Sequence, residues 1–299
     1  MPTPLNITYV DPDGGSWDLS DLSFSKGYVC AGIAGIEGFP VAMQTVPMLD
    51  GTAIPSFYIP QPGTIALAVL VGSPEGNPDP DDSYYSLLDR FVRAFYNRRN
   101  EAPRAGYIQV QRPNGSVRQI QVYTTAGLDS PEVGLNNLSV YSVTLQTPDP
   151  YWSDLQDQSL LYSLGVAPGI LPLMPVRLGA GTVLGTTVIT NNGGAQSWPT
   201  WTITGPGTPT IKNLTSGRQW SLNTSIPAGN VVQITTKPGT QYAVNLTTAA
   251  NIWDQLVLGG SISNLWALMT GDNSVSIAMA GATSATSVQA NWTNRWNRA

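Results

Sequence analysis

The segment from Tyr141 to Trp152 constrains the fold most strongly, because it is a strand that cannot continue. Its first half, Tyr141 to Gln146, alternates apolar and polar side chains, which is the two-residue period of a strand with one apolar face. Pro148 and Pro150 then remove two backbone donors and hold the residues before them extended. Strand pairing therefore has to stop there, and the chain leaves the strand as a stiff segment.

The residues around these two prolines predict a hinge between two domains. The predicted hinge is Pro148, Asp149, Pro150, Tyr151 and Trp152, whose two aromatic rings suit a contact between two bodies. The composition changes across it. Residues 1–150 hold 8 Lys and Arg against 15 Asp and Glu, whereas residues 151–299 hold 6 against 4, together with most of the tryptophans. We predict one domain over residues 1–149 and a second over residues 150–299.

The first half is predicted to be an antiparallel β domain that carries one helix. Short alternating segments such as Phe39 to Val46 are separated by turn residues such as Asp50-Gly51, and Asn114-Gly115 marks a hairpin. Ile65 to Val71 is apolar at every position, which predicts a strand in the middle of the structure. A helix is predicted over about residues 83–99, with Ser83 as its N-cap. Its docking face follows the helical period and consists of Tyr84, Leu87, Leu88, Phe91, Val92 and Phe95.

The second half is predicted to be a β-sandwich or barrel. Few charges remain, and short strands recur between turn signals such as Ser216-Gly217 and Pro238-Gly239. One of these strands places Trp201 and Ile203 inward. A well-marked turn, Gly271, Asp272 and Asn273, opens a strand in which apolar and polar residues alternate.

These motifs together resemble the distal tail protein family of long-tailed bacteriophages. The resemblance rests on the closing Asp-Pro-Tyr-Trp, on a helix that follows most of the strands, and on the late turn, which is similar to the family's Gly-x-Asn-x-Ile/Val turn. It implies a mainly β fold in which a ring-forming β domain with one helix is followed by a galectin-like β-sandwich. Neither domain shows a long insertion, so the host-binding modules of some relatives are not expected.

The resemblance also implies a function in assembly. Such a protein forms a ring, a hexamer in the family, at the tip of a non-contractile tail. The ring connects the tail tube protein to the tail-tip hub or fibre protein and to receptor-binding proteins. The expected location is the virion, and DNA is expected to pass through the ring without stable binding. The acidic excess of the first half fits a channel wall that repels DNA.

The composition excludes several other classes of protein. The chain has a net charge of −5 and no cluster of Lys or Arg, which argues against stable nucleic-acid binding. No apolar run approaches the ~18 residues that a membrane helix needs, and no secretory signal is recognisable, so we expect neither membrane insertion nor export. Cys30 is the single cysteine and forms no internal disulfide.

The same composition argues against an enzyme. The chain contains no histidine, so His-based catalysis and His-ligated zinc are excluded, and we expect no catalytic residues, no cofactor and no metal. The acids Asp79, Asp81 and Asp82 are the densest carboxylate cluster, but they are better explained by the positive end of the helix that follows. The glycines from Gly179 to Gly185 lack the Lys-Ser/Thr of a phosphate loop.

One alternative stays open at this point. Exposed tryptophans can stack on sugar rings. The alternative prediction is therefore that the second domain is a carbohydrate- or cell-wall-binding module of a tail fibre or adhesin. Packing in the core or between subunits is the favoured explanation for most of the tryptophans. The two functions differ in whether the purified protein binds glycans.

Overall fold

The computed structural model describes residues 5–49, 53–73, 80–96, 98–99, 102–128, 132–133, 138–163, 183–259 and 265–299. The chain divides into two compact units. The first unit contains residues 1–155 and 296–299, and the second contains residues 156–295. The last four residues, which the sequence assigned to the second domain, thus belong to the first unit.

The first unit contains thirteen β-strands and one helix among its described residues. The helix is α1 (Pro80–Phe95), and the strands are β1 (Asn6–Val10), β2 (Ser16–Asp18), β3 (Tyr28–Ala34), β4 (Val41–Pro47), β5 (Ala53–Pro60), β6 (Gly63–Gly72), β7 (Arg98–Arg99), β8 (Ala102–Pro103), β9 (Gly106–Gln111), β10 (Val117–Ala126), β11 (Glu132–Val133), β12 (Leu138–Thr147) and β13 (Trp152–Asp154). The main sheet is antiparallel in the order β2-β1-β9-β10-β12-β6-β3. Strand β11 pairs with β12, and β13 pairs with β10.

One face of the main sheet is buried along β6, which lies next to the edge strand β3. Ile65, Leu67, Val69 and Val71 of β6 are buried on this face, whereas Ala66 on the other face is exposed. Ala68 and Leu70 on that other face are half-buried, and the strand is paired on both sides, with β12 and with β3.

The helix begins and ends earlier than the sequence predicted. It starts at Pro80, three residues before the predicted start. Proline is favoured in the first turn of a helix, because the backbone N–H that it lacks would have no hydrogen-bond partner within the helix there. Ser83 therefore lies inside the helix and is not its N-cap. The helix ends at Phe95, not near residue 99, because Arg98–Arg99 pairs with Ala102–Pro103 as a short antiparallel ladder.

The second unit is a sandwich of two sheets around one core. Its strands are β14 (Gln158–Ser163), β15 (Val183–Asn191), β16 (Thr200–Thr204), β17 (Thr208–Asn213), β18 (Gln219–Leu222), β19 (Val231–Thr235), β20 (Tyr242–Asn245), β21 (Ala250–Asn251), β22 (Leu256–Gly259), β23 (Gly271–Ala280) and β24 (Ser287–Trp292), with a 3-10 helix at Trp253–Gln255. One sheet has the order β14-β24-β16-β19-β20-β21 and the other β15-β23-β17-β18-β22. A last strand, β25 (Arg295–Trp296), spans the boundary between the units.

The core of this sandwich is built on tryptophans. Trp201 of β16 lies 6.1 Å from Trp220 of β18 and 5.6 Å from Trp266, measured between ring centroids. All three side chains are fully buried, as is Ile203. The inward placement of Trp201 and Ile203 is thus confirmed, and these rings cannot stack on a sugar.

The last four residues contact β10, β13 and Arg112 of the first unit. Trp296 donates its indole N–H to Asp154 Oδ1 at 2.7 Å, and the guanidinium of Arg118 lies 3.7 Å from the centroid of the Trp296 ring. Arg112 donates to the oxygen of Ala299 at 2.6 Å. Arg118 is buried, and the loss of hydration lowers the pKa of its guanidinium to about 10.

Candidate functional site

The strands β4 and β5 form a separate two-stranded sheet, which we call the arm together with Met48 and Leu49, the two residues that follow β4. Their pairing is antiparallel, with Met43 opposite Tyr58 and Gln44 opposite Phe57, and the register shifts at Gln44/Thr45. The base of the arm is closed by the N–H of Gln61, which donates to the oxygen of Pro40 at 2.8 Å. The predicted turn at Asp50-Gly51 lies outside the described residues.

The arm exposes large apolar side chains. Phe57 is 62% exposed and Tyr58 69%, and others share this exposure: Val41, Met43, Val46, Met48, Leu49 and Ile59. The described side chains of the arm carry no charge. Apolar side chains point to both faces of the hairpin, since Met43 and Tyr58 lie on one face and Phe57 and Ile59 on the other. Exposed apolar area of this extent is typical of a surface that another protein covers.

The predicted docking face of the helix lies against the first unit's core. Phe95 stacks on Tyr9 at 4.3 Å, and Phe91 lies 4.8 Å from Tyr141, measured between ring centroids. Tyr84 and Leu87 are buried as well, and the Tyr84 hydroxyl lies 2.5 Å from the Ser139 hydroxyl. Leu88 and Val92 are half-buried and pack against the same cluster. This face holds the fold together and is not free for a partner.

The structure places the predicted hinge residues within the first unit. Trp152 is almost fully buried in its core, and Tyr151 lies 5.4 Å from Phe39 between ring centroids. Asp149 accepts the N–H of Tyr151 at 3.1 Å, which turns the chain between Pro148 and Pro150. The division into units comes after Leu155. That these residues act as a hinge remains a prediction.

The late turn is a structural motif centred on a buried asparagine. Asn273 accepts the N–H of Met269 at 2.9 Å and donates to the oxygens of Met269 and Gly271 at 2.8 and 3.0 Å. Gly271 has a φ of +86°, which favours glycine. Asp272 accepts the hydroxyl of Thr190 at 2.7 Å. These side chains are engaged within the second unit.

The residues considered for chemistry are not assembled into a site. Cys30 is buried, and this burial raises the pKa of its thiol, which opposes a reactive thiolate. The described residues contain no group of three or more possible metal ligands, and no described helix is long and apolar enough to span a membrane. The side chains of Asp79, Asp81 and Asp82 and most of 179–185 lie outside the described residues.

No family model matches the sequence, and no curated protein matches it. Solved structures do match. The Dit protein of phage SPP1, called a paradigm of the hub adsorption apparatus in phages that infect Gram-positive bacteria, superposes with a TM-score of 0.64 at 10% identity over 98% of this chain and 99% of that chain. A chain of the phage P2 baseplate in its activated conformation with calcium gives a TM-score of 0.56 at 9% identity over 99% and 100%. The strontium form of that baseplate gives 0.53 at 9% over 97% and 98%.

The chain thus has the fold of these proteins over nearly its whole length. The predicted resemblance to a distal tail protein and the mainly β fold class with a single helix are confirmed at the level of the fold. The arm is the feature that sequence analysis missed. Its strands were recognised in part, from Phe39 to Val46, but alternation does not say whether an apolar face is covered. The lack of charge along both strands is the signal that could have indicated it.

Proposed function

We propose that this protein is a structural component of a phage tail tip, where it forms a ring between the tail tube and the tail-tip hub or fibre. The support is the fold that it shares with the SPP1 and P2 proteins, together with a surface suited to self-assembly. The ring is expected to hold six copies, and the second unit to offer docking surface for fibre or receptor-binding proteins. The protein is part of the virion and has no catalytic role.

The observation that carries this proposal is the arm. Eight large apolar side chains are exposed on it, and covering one such side chain contributes about 1.5–3 kcal/mol before the costs of association. A second copy of the chain is a partner that is always present at equal concentration. In the proposed ring the arm of each copy meets a different surface of the next copy, and such a heterologous contact makes a ring when it closes.

The mass of the purified protein tests this proposal. Light scattering coupled to size exclusion should give a discrete species near six subunits or a pair of such rings, compared with 31.8 kDa for one chain. The double variant Phe57→Ser/Tyr58→Ser should shift this species to the monomer, since it removes the two largest described rings of the arm.

A matched control removes exposed apolar side chains elsewhere. The variant Leu161→Ser/Val188→Ser changes two exposed residues of the second unit and should leave the mass unchanged. Wild-type protein that stays a monomer, or arm variants that assemble like the wild type, would contradict the role of the arm. A glycan array with bound sugars would favour the carbohydrate-binding alternative.

A further inference from the structure

A second feature of the first unit is a cavity of about 520 Å³ beside α1. The turn between β1 and β2 forms one wall, Tyr28 at the start of β3 another, and the C-terminal half of α1 a third. Its charged and aromatic lining is Asp11, Asp13, Trp17, Lys26, Arg90 and Arg93. A cavity of this size admits a few side chains of another protein.

The acids of this cavity are already engaged. Asp11 accepts the N–H groups of Asp13 and Gly15 at 2.9 and 2.8 Å and the indole N–H of Trp17 at 3.3 Å. Asp13 forms an ion pair with Arg104 at 2.5 Å. The turn that carries these acids is therefore fixed before any partner arrives.

The lysine of the cavity is engaged as well. Lys26 lies 3.1 Å from Asp18 and 3.5 Å from Asp21. Lys26 therefore offsets one of the two negative charges at Asp18 and Asp21, which reduces the acidic excess suggested for the channel wall.

Two cations of the cavity remain without an acidic partner among the described residues. Arg90 and Arg93 are three residues apart on α1, so their side chains lie on the same side of the helix. The guanidinium of Arg90 lies 5.9 Å from the centroid of the Trp17 ring. The cavity thus offers a pair of guanidinium groups beside an indole, an arrangement that suits a carboxylate.

We propose that this cavity receives a carboxylate side chain from a second copy of the chain, and that Glu37 supplies it. This rests on the proposed function, since it assumes that the chain self-assembles. Glu37 is exposed and has no ion-pair partner among the described residues, in a unit whose acids outnumber its bases. The loop that carries it is pinned, because Gly35 has a φ of +90° and a Cβ there would lie 2.1 Å from the Thr64 oxygen.

The positions of the two groups make the contact head-to-tail. Tyr28, which lines the cavity, begins the edge strand β3, whereas Glu37 follows the end of that strand at Ala34. Six residue steps of a strand span about 20 Å, so one chain cannot easily pair its own Glu37 with its own cavity. The loop of one copy instead reaches the cavity of the next, which is the repeated contact that a ring needs. Glu37 lies four residues before the first strand of the arm, so the same neighbour can receive both contacts in the proposed ring.

Charge reversal tests the inference. Arg90→Glu/Arg93→Glu should raise the dissociation constant of assembly about tenfold or more, because Glu37 then meets like charges. Glu37→Arg alone should weaken assembly similarly, and the triple combination should restore it. Arg218→Glu, an exposed reversal in the second unit, should have no effect. Thermal melting of each variant as a monomer checks that folding is intact.

Salt gives an independent readout. Raising the salt from about 0.05 to 0.5 M should weaken wild-type assembly more than assembly of the Arg90/Arg93 variant, since screening acts on the charge contact. Unchanged affinity in the arginine reversals, or no restoration by Glu37→Arg, would overturn the pairing. If the arm variants dissociate while these reversals have no effect, the proposed function stands and this inference fails. A wild-type monomer would contradict the proposed function itself.

Discussion

The helix α1 and the arm are both rich in large apolar side chains, but most of these side chains are buried in α1 and exposed in the arm. Both carry large apolar side chains at regular spacing. Phe91 and Phe95 of α1 are almost fully buried in the first unit, whereas Phe57 and Tyr58 of the arm are mostly exposed. The spacing of apolar residues predicts that a face will be covered, but it does not say whether the same chain or another chain covers it.

The largest effect is expected in the helix. Phe91→Ala should lower the free energy of unfolding by about 3–5 kcal/mol, because it removes a buried ring that contacts Phe95, Tyr141 and Trp17. Urea unfolding measures this loss. Tyr96→Ala, just past the end of α1 and exposed, serves as the control and should change stability little. Equal effects of the two variants would contradict the conclusion that the buried Phe91 stabilises the fold more than the exposed Tyr96 does.

A smaller effect is expected from one hydroxyl on the same face. Tyr84→Phe removes the hydrogen bond with the Ser139 hydroxyl and leaves that buried group without this partner. We expect a loss of about 0.5–1.5 kcal/mol in the free energy of unfolding. Ser139→Ala in the same background should cost less than it does alone, which a double-mutant cycle measures. Additive effects would show that the hydroxyls do not act as a pair.

The arm should behave in the opposite way. Met43→Ser/Tyr58→Ser changes a cross-strand pair, yet the free energy of unfolding of the dilute monomer should change by no more than about 0.5–1 kcal/mol, because both side chains are exposed. Urea unfolding at a concentration below assembly is the measurement. A loss as large as that of Phe91→Ala would mean that the arm belongs to the monomer's fold.

The smallest effect concerns Cys30 in β3, the strand that leads towards the arm. Its thiol should react with a disulfide reagent more slowly than a free thiol at pH 8, because burial raises its pKa and restricts access. Because the pKa of this thiol is higher in the folded than in the unfolded protein, folding favours its protonated form. The free energy of unfolding should therefore fall as the pH rises above the pKa of the thiol in the unfolded protein. The arm variants should leave the labelling rate unchanged, while Phe91→Ala should raise it.

Local chemistry made much of the fold predictable. The Asn114-Gly115 hairpin forms as expected, with Gly115 at a φ of +83°. Alternation placed Trp201 and Ile203 inward, and helical spacing placed Phe91 and Phe95 on one face. These predictions succeed because the physical cause lies within a few residues of the side chain that it affects.

The sequence did not predict contacts between residues far apart in the chain, nor which apolar surfaces stay exposed. The helix start at Pro80 was missed because Ser83 offered an equally good cap. The return of Trp296 to Asp154 joins residues that are 142 positions apart, and no local pattern specifies it. The arm and the cavity beside Arg90 were missed as candidate sites. The spacing of apolar residues along a strand or a helix shows which residues share a face, but it does not show whether a neighbouring chain contacts that face.

The return of the last residues has a consequence for how such a chain can be modified. Asp154, where the chain departs towards the second unit, and Trp296, where it comes back, are in direct contact. The second unit is therefore an insertion in the sequence of the first, and the residues that flank it, Asp154 and Trp296, contact each other within the first unit. We expect the first unit to tolerate a shortened insertion as long as the contacts of Arg118, Trp296 and Asp154 are kept.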